Sequence, residues 1–151
     1  DLSEANYPAT SGLIVWSPMN AETPFFDTNV LLYLLSEDSG KAEVAEALLS
    51  QGGIISVQVL SEFTSVCVRK LKMSYADIRE ILATIRVVLD VRDMTPAIHE
   101  AALDIAERYG DSFYDSMILA AALHAGCRRV YTEDLHAGHV VKDQLLIVNP
   151  F

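Results

Sequence analysis

Between Ser112 and Gly126 the chain carries a helix-forming stretch that is apolar on nearly every side, with Met117, Ile118, Leu119 and the alanines at 120–122 leaving it no polar face. A helix of that kind has to be buried centrally, so other elements must surround it. Helical patterns are predicted over Val30–Leu35, Lys41–Ser50, Ser56 to about Lys72, Ser74–Leu89 and Pro96–Tyr109. The clearest is Ser74–Leu89, where Ile78, Ile81, Leu82 and Ile85 recur on one face and Asp77, Arg79, Glu80 and Arg86 on the other. Phe25-Phe26, Ile54-Ile55, Arg129–Tyr131 and Leu145–Val148 are short apolar runs that read as strands. Helices alternating with short strands predict an α/β sandwich around a mostly parallel sheet.

Within this pattern four carboxylates stand in awkward places. Asp27 lies where the first strand ends, and taken alone it reads as a helix cap. Glu62 has Val59, Phe63 and Val66 as helical neighbours, a costly setting for an anion unless it reaches solvent, a partner or a cation. Asp115 completes a Ser112-x-x-Asp115 capping box at the start of the most apolar helix. Asp134 follows the Arg129–Tyr131 strand in Thr132-Glu133-Asp134. Asp27 and Asp134 are placed at C-terminal strand ends, and Glu62 and Asp115 in the first turns of buried helices. Ligands of open α/β sheets bind in the crevice at that edge. Four acids converging there would repel and raise one another's pKa values. Divalent cations resolve the conflict, and an oxygen-only set suits Mg²⁺, with Mn²⁺ as a substitute, rather than zinc. Two such ions about 3.5–4 Å apart can serve both the attacking and the leaving oxygen of a phosphodiester.

These motifs, in order, resemble the PIN-domain nucleases, and within them the VapC-type toxins of bacterial toxin–antitoxin pairs. The residues that carry the resemblance are Phe26-Asp27-Thr28-Asn29-Val30-Leu31, Glu62, Ser112-Phe113-Tyr114-Asp115-Ser116-Met117-Ile118, Tyr131-Thr132-Glu133-Asp134-Leu135 and the ending Ile147-Val148-Asn149-Pro150-Phe151. It covers about residues 24–151. It implies a three-layer sandwich with helices on both faces of the sheet, and Asp27, Glu62, Asp115 and Asp134 as catalytic metal ligands. It also implies Thr28, Asn29 and Thr132 as supports, a protein antitoxin as partner, a homodimer and a cytoplasmic location. The T-x-D pattern favours Asp134 over its neighbour Glu133. In the mechanism expected from these residues, Asp27 and Asp115 hold the metal most tightly and Asn29 orients Asp27. The reaction is hydrolysis of RNA in a single-stranded loop, where bases can be splayed out.

Charge limits how RNA can be bound. The 151 residues include 11 basic and 21 acidic ones, a formal charge of −10, which excludes a broad cationic surface. Val68-Arg69-Lys70-Leu71-Lys72 is the one dense basic cluster, on the same predicted helix as Glu62, and Arg69, Lys70 and Lys72 are the candidate RNA contacts; Arg128-Arg129 is a second cluster. Both clusters also suit a solvated helix end or strand edge.

Other readings are weaker. His136 and His139 have an H-x-x-H spacing but lack further zinc ligands. Ser112 with His124 has no nucleophile elbow around it. Asn29 stands where an aspartyl phosphatase usually has a second Asp. A related nuclease acting in RNA processing or on DNA, and a non-catalytic binding domain, remain as alternatives. Tyr109, Phe113 and Tyr114 suit either base stacking or the core. Cys67 and Cys127 read as buried thiols, which fits a reducing compartment. No apolar run reaches the roughly 18–20 residues of a membrane span. Met19 is the first methionine and regular patterning begins just after it, so residues 1–18 read as an appended or upstream segment without order of its own, and 19–151 as one domain. The mixed faces of the 41–50 and 56–72 helices are the expected partner surfaces.

Overall fold

The computed structural model describes residues 22–151. The expectation for residues 1–18 lies outside the described residues. Six strands, β1 (Phe25–Phe26), β2 (Gly53–Ser56), β3 (Leu89–Arg92), β4 (Arg129–Tyr131), β5 (Val140–Val141) and β6 (Leu145–Val148), form one sheet in the order β3-β2-β1-β4-β6-β5. All neighbours are parallel except β5, which runs antiparallel to β6. The helices are α1 (Thr28–Leu32), continued by a 3₁₀ turn over Tyr33–Leu35, then α2 (Ser39–Ser50), α3 (Val57–Arg69), α4 (Tyr75–Val88), α5 (Pro96–Tyr109) and α6 (Phe113–His124).

The chain steps outward from β1 to β2 to β3 through α1–α4, then returns across β1 to β4 through α5 and α6. Right-handed crossovers therefore place α1–α4 on one face and α5–α6 on the other. The predicted three-layer α/β sandwich is the architecture found. The strand order reverses between β1 and β4, so the switch point lies at their C-terminal ends.

Local chemistry starts each helix. Asp27, Asp38, Ser56, Ser74, Thr95 and Ser112 each cap the helix that follows by accepting from a first-turn N–H. Pro96 occupies the first turn of α5, and Gly110 ends it in the left-handed region at φ 76°. The apolar α6 packs across β2, β4 and β6 as well as α5, with Ile118, Leu119 and Ala120–Ala122 all buried. Cys67 and Cys127 are buried free thiols, as expected.

Three local expectations fail, each for a physical reason. The Ser56 helix ends at Arg69 rather than Lys72, because Lys72 turns into the left-handed region at φ 54° and Met73 N–H bonds back to the Cys67 carbonyl at 3.0 Å. Leu89 belongs to β3 rather than to the preceding helix: it is extended at φ −110°, ψ 144°, with no glycine or proline to mark the switch. The β5–β6 hairpin was also unexpected, since its turn uses Lys142 and Asp143 at φ 51° and 56° where glycine or asparagine is the usual signal.

The sheet centre is tight. A Cβ added at Gly53 would sit 2.3 Å from Phe26 Cε2 and 3.0 Å from the Pro24 carbonyl oxygen, and Phe26 is itself fully buried and stacked on Tyr131 at 5.6 Å. Gly53→Ala is expected to cost about 1–3 kcal/mol through overpacking. Thermal denaturation should show a melting temperature lowered by about 2–10 °C at this chain length.

Candidate active site

Parallel pairing of Phe26 with Tyr131 sets Asp27 and Thr132 side by side just beyond the ends of β1 and β4. Asp27 is only 6% exposed. Its Oδ1 accepts from Thr28 N–H at 2.7 Å and its Oδ2 from the Thr132 hydroxyl at 2.9 Å. The buried Thr132 hydroxyl also accepts from Asn29 Nδ2 at 3.3 Å and Asp134 N–H at 3.2 Å, which uses both its lone pairs. Thr28 reaches the next acid, donating from its hydroxyl to Glu62 Oε1 at 3.3 Å.

Electrostatics tie three of the acids together. Burial pushes Asp27 up to about 6; the bonds from Thr132 and Thr28 oppose this, and the charges of Glu62 and Asp115 add to it. Glu62 is half-buried and also raised, first by burial, with Asp115 adding and the Thr28 and Gln58 hydrogen bonds opposing. The ion pairs Lys41–Glu133 and Arg92–Asp90 engage other acids than these three. So Asp27, Glu62 and Asp115 share a field that no cation among the described residues offsets.

Asp134 is held differently. It is exposed, and its Oδ2 accepts from Asn29 Nδ2 at 2.9 Å. Asn29 also accepts at Oδ1 from Glu133 N–H at 3.2 Å. Asn29 therefore positions the 132–134 segment, whereas the residue that orients Asp27 is Thr132. Glu62 lies in the second turn of α3, not the first, so Thr28 across the crevice is what holds it. Asp115 occupies the first turn of α6 as expected, with its N–H capped by Ser112.

Glu133 points into a separate cluster. Lys41 Nζ pairs with its Oε1 at 2.7 Å, and the Tyr33 hydroxyl donates to its Oε2. These contacts hold Glu133 below the usual range for its type, Lys41 first and Tyr33 second. Lys41 lies 4.8 Å from the Tyr33 ring centroid, and that ring packs on Phe151 at 4.5 Å.

The donor set fits a divalent cation in kind: carboxylate oxygens, one of them buried, with no competing cation. Among the described residues, no three Asp, Glu, His or Cys side chains stand close enough to enclose an ion by themselves. An ion held by these acids would keep part of its water shell, as Mg²⁺ usually does.

The remaining candidates separate cleanly. Ser112 and His124 bracket α6 at opposite ends, about 18 Å apart at 1.5 Å per residue, which removes the serine–histidine reading. His139 packs against Tyr109 at 4.9 Å, and His136 is exposed. Arg69, Lys70 and Lys72 are exposed, and Arg69 Nε donates to Ser65 at 2.9 Å. Arg69, Ser61, Ser65, Thr64 and Tyr75 line an open groove of about 500 Å³ along α3. Arg129 is already engaged, donating to the Glu22 carbonyl at 3.0 Å. Three contributors escaped the sequence reading: Tyr33, Lys41 and Gln58, the last donating from Nε2 to the Tyr114 carbonyl at 3.0 Å. Gln58 had a signal, since a polar residue between Val57 and Val59 breaks the apolar pattern as Glu62 does.

A family model for the PIN domain matches residues 25–142. The chain belongs to the PIN domain family. Solved structures of similar fold include a Mycobacterium tuberculosis VapC20, described as a Sarcin-Ricin loop cleaving toxin, at a TM-score of 0.60 and 22% identity, covering 74% of this chain and 90% of that one. A toxin–antitoxin complex from Klebsiella pneumoniae matches at 0.66 and 19%, covering 85% and 98%. VapBC2 from Rickettsia felis, bound to a promoter DNA fragment, matches at 0.56 and 18%, covering 74% and 88%. No curated protein sequence matches significantly. Within the PIN fold, this chain's switch point is where its buried, uncompensated acid lies.

Two outcomes follow. Because Asp27 takes up its proton more readily folded than unfolded, its ionisation removes stability as pH rises from about 3.8 to about 6, with no further loss above. In metal-free buffer the parent should lose about 3 kcal/mol of stability between pH 4 and pH 7 by denaturant titration, and Asp27→Asn should lack this pH dependence. By contrast, Glu133→Gln breaks a partly exposed pair and should cost only about 0.2–1 kcal/mol by the same titration.

Proposed function

We propose that this chain is a Mg²⁺-dependent endoribonuclease acting as the toxin of a toxin–antitoxin pair. The observation that carries the reading is the buried Asp27 carboxylate at the sheet's switch point, raised by burial and by its acid neighbours, with no cation among the described residues beside it. The PIN family membership and the toxins among the fold relatives support it.

In this proposal Asp27 and Asp115 are the principal metal ligands, Glu62 completes the set, and Asp134 acts from the outer edge under the control of Asn29. When bound, the divalent ion supplies an activated water and offsets charge on the phosphate, and Mn²⁺ can substitute. Thr132 and Thr28 keep Asp27 ionised and oriented by donating to its two oxygens. Thr28 does the same for Glu62, so one residue fixes the separation of two ligands. Arg69, Lys70 and Lys72 meet the RNA backbone about two helical turns beyond Glu62. A protein antitoxin, self-association as a homodimer and a cytoplasmic setting belong to the same proposal. Among the described residues no helix is long and apolar enough to cross a membrane.

The test is incubation of the purified chain with total RNA in Mg²⁺, with and without EDTA. Discrete cleavage is expected, abolished by EDTA and by Asp27→Asn. Thr132→Val, which keeps shape but loses the hydroxyl, should lower the rate about 10–100-fold. Cleavage that survives both EDTA and Asp27→Asn would sink the metal mechanism.

A further inference from the structure

Tyr109, Phe113 and Tyr114 are equivalent in the sequence, but the structure separates them. The Tyr109 hydroxyl accepts from Lys142 N–H at 2.9 Å, and its ring is half-buried against His139. Phe113 is half-buried, packed on the core and set edge-on to His99 at 5.0 Å. Tyr114 is 67% exposed, and its ring stands edge-on to Phe113 at 6.1 Å. Most of that ring is open to solvent.

Its backbone, however, is firmly placed. Gln58, 8% exposed at the start of α3, donates from Nε2 to the Tyr114 carbonyl. Turning the amide over would set its oxygen against that carbonyl, so the NH₂ end is the one that faces it. Gln58 Oε1 is left buried with no hydrogen-bond partner among the described residues. A buried unpaired acceptor is costly unless a ligand or water donates to it. Gln58 thus joins the helix carrying Glu62 to the helix carrying Asp115, beside an exposed ring one residue from Asp115, about 3.8 Å along the chain between Cα atoms.

We propose that Tyr114 is a stacking platform for an unpaired nucleobase of single-stranded RNA beside the scissile phosphate, with Gln58 as the positioning residue that fixes it. This rests on the nuclease reading. Every base presents a π-face, and stacking on an aromatic side chain tolerates sequence while excluding bases already paired and stacked in a duplex. Stacking also suits an acidic protein, because it needs no cation.

The test uses the 151-residue chain carrying Asp27→Asn, so that RNA is bound without turnover, in Mg²⁺. Fluorescence anisotropy measures affinity for a short labelled single-stranded oligoribonucleotide and for its duplex. Tyr114→Ala should weaken single-strand binding about 5- to 100-fold and leave duplex binding unchanged. Tyr114→Trp should restore it, which a folding defect would not allow. Gln58→Met, similar in size but without the amide, should weaken single-strand binding in the same direction. With Asp27 restored, Tyr114→Ala should raise KM and spare kcat. Unchanged single-strand affinity in Tyr114→Ala, while the Asp27 parent cuts the same oligonucleotide, would overturn the platform and leave the nuclease. Failure of the parent to bind or cut any RNA would overturn both. Loss of binding to a co-encoded protein partner, with RNA affinity untouched, would give the ring to that partner and overturn the proposal.

Discussion

The buried carboxylate of Asp27 is the constraint around which the rest is arranged. β1 is only two residues long, so its own length cannot aim the residue that follows it. Its neighbours do so. Parallel register with β4 brings Thr132 alongside, the first turn of α1 offers the Thr28 N–H, and Thr28 reaches on to Glu62. The two bonds to Asp27 itself stabilise its ionised form, yet burial outweighs them and the pKa still rises. A fold selected only for stability would place a neutral side chain at this position. The unfavourable term is confined to the switch point of the sheet, where α/β folds leave a crevice for a ligand.

The contrast between Glu133 and Asp27 separates structure from chemistry. They lie on adjoining strand ends and are both acids. Glu133 has a lysine at 2.7 Å and a tyrosine hydroxyl, so its pKa falls. Asp27 is buried, with hydroxyl and amide donors but no cation beside it among the described residues, so burial raises its pKa. Glu133 is thus anchored by Lys41 and Tyr33 rather than joined to the acids. Asn29 bonds to three consecutive residues of the 132–134 segment. Asp134 is consequently outside the electrostatic group formed by Asp27, Glu62 and Asp115, which makes its proposed role that of an outer contributor.

Much of this was legible in the sequence because local signals agreed with global ones. Polar caps, amphipathic spacing, Pro96, Gly110 and the apolar Ser112–Gly126 stretch marked all five described helices of 12 or more residues. What escaped was written in tertiary terms. β3 follows α4 without a breaker, and its Asp90 and Arg92 satisfy each other rather than showing an apolar run. The β5–β6 turn uses residues that merely tolerate positive φ. At the site, the identity of each acid could be read from a broken pattern, but its partner could not. That Thr132 rather than Asn29 holds Asp27, and that Lys41 neutralises Glu133, depend on contacts between residues 92 or more positions apart. No periodicity encodes such pairs.

Net charge shapes what kind of recognition is open to the proposed nuclease. With 21 acidic against 11 basic residues, long-range attraction to a polyanion is unavailable. Of the cations, Lys41 and Arg92 are spent on internal pairs and Arg129 on a backbone carbonyl. Arg69, Lys70 and Lys72, at the far end of α3, are the exposed cluster proposed as the anchor, two turns from Glu62. A backbone held at one anchor and at a cation-loaded carboxylate site is fixed at two points only. Selectivity must then come from contacts that act at short range and do not depend on charge, which an exposed ring next to Asp115 can supply. An acidic surface would in turn repel RNA that lacks such a contact, so the charge that weakens binding in general also sharpens the choice of what is bound.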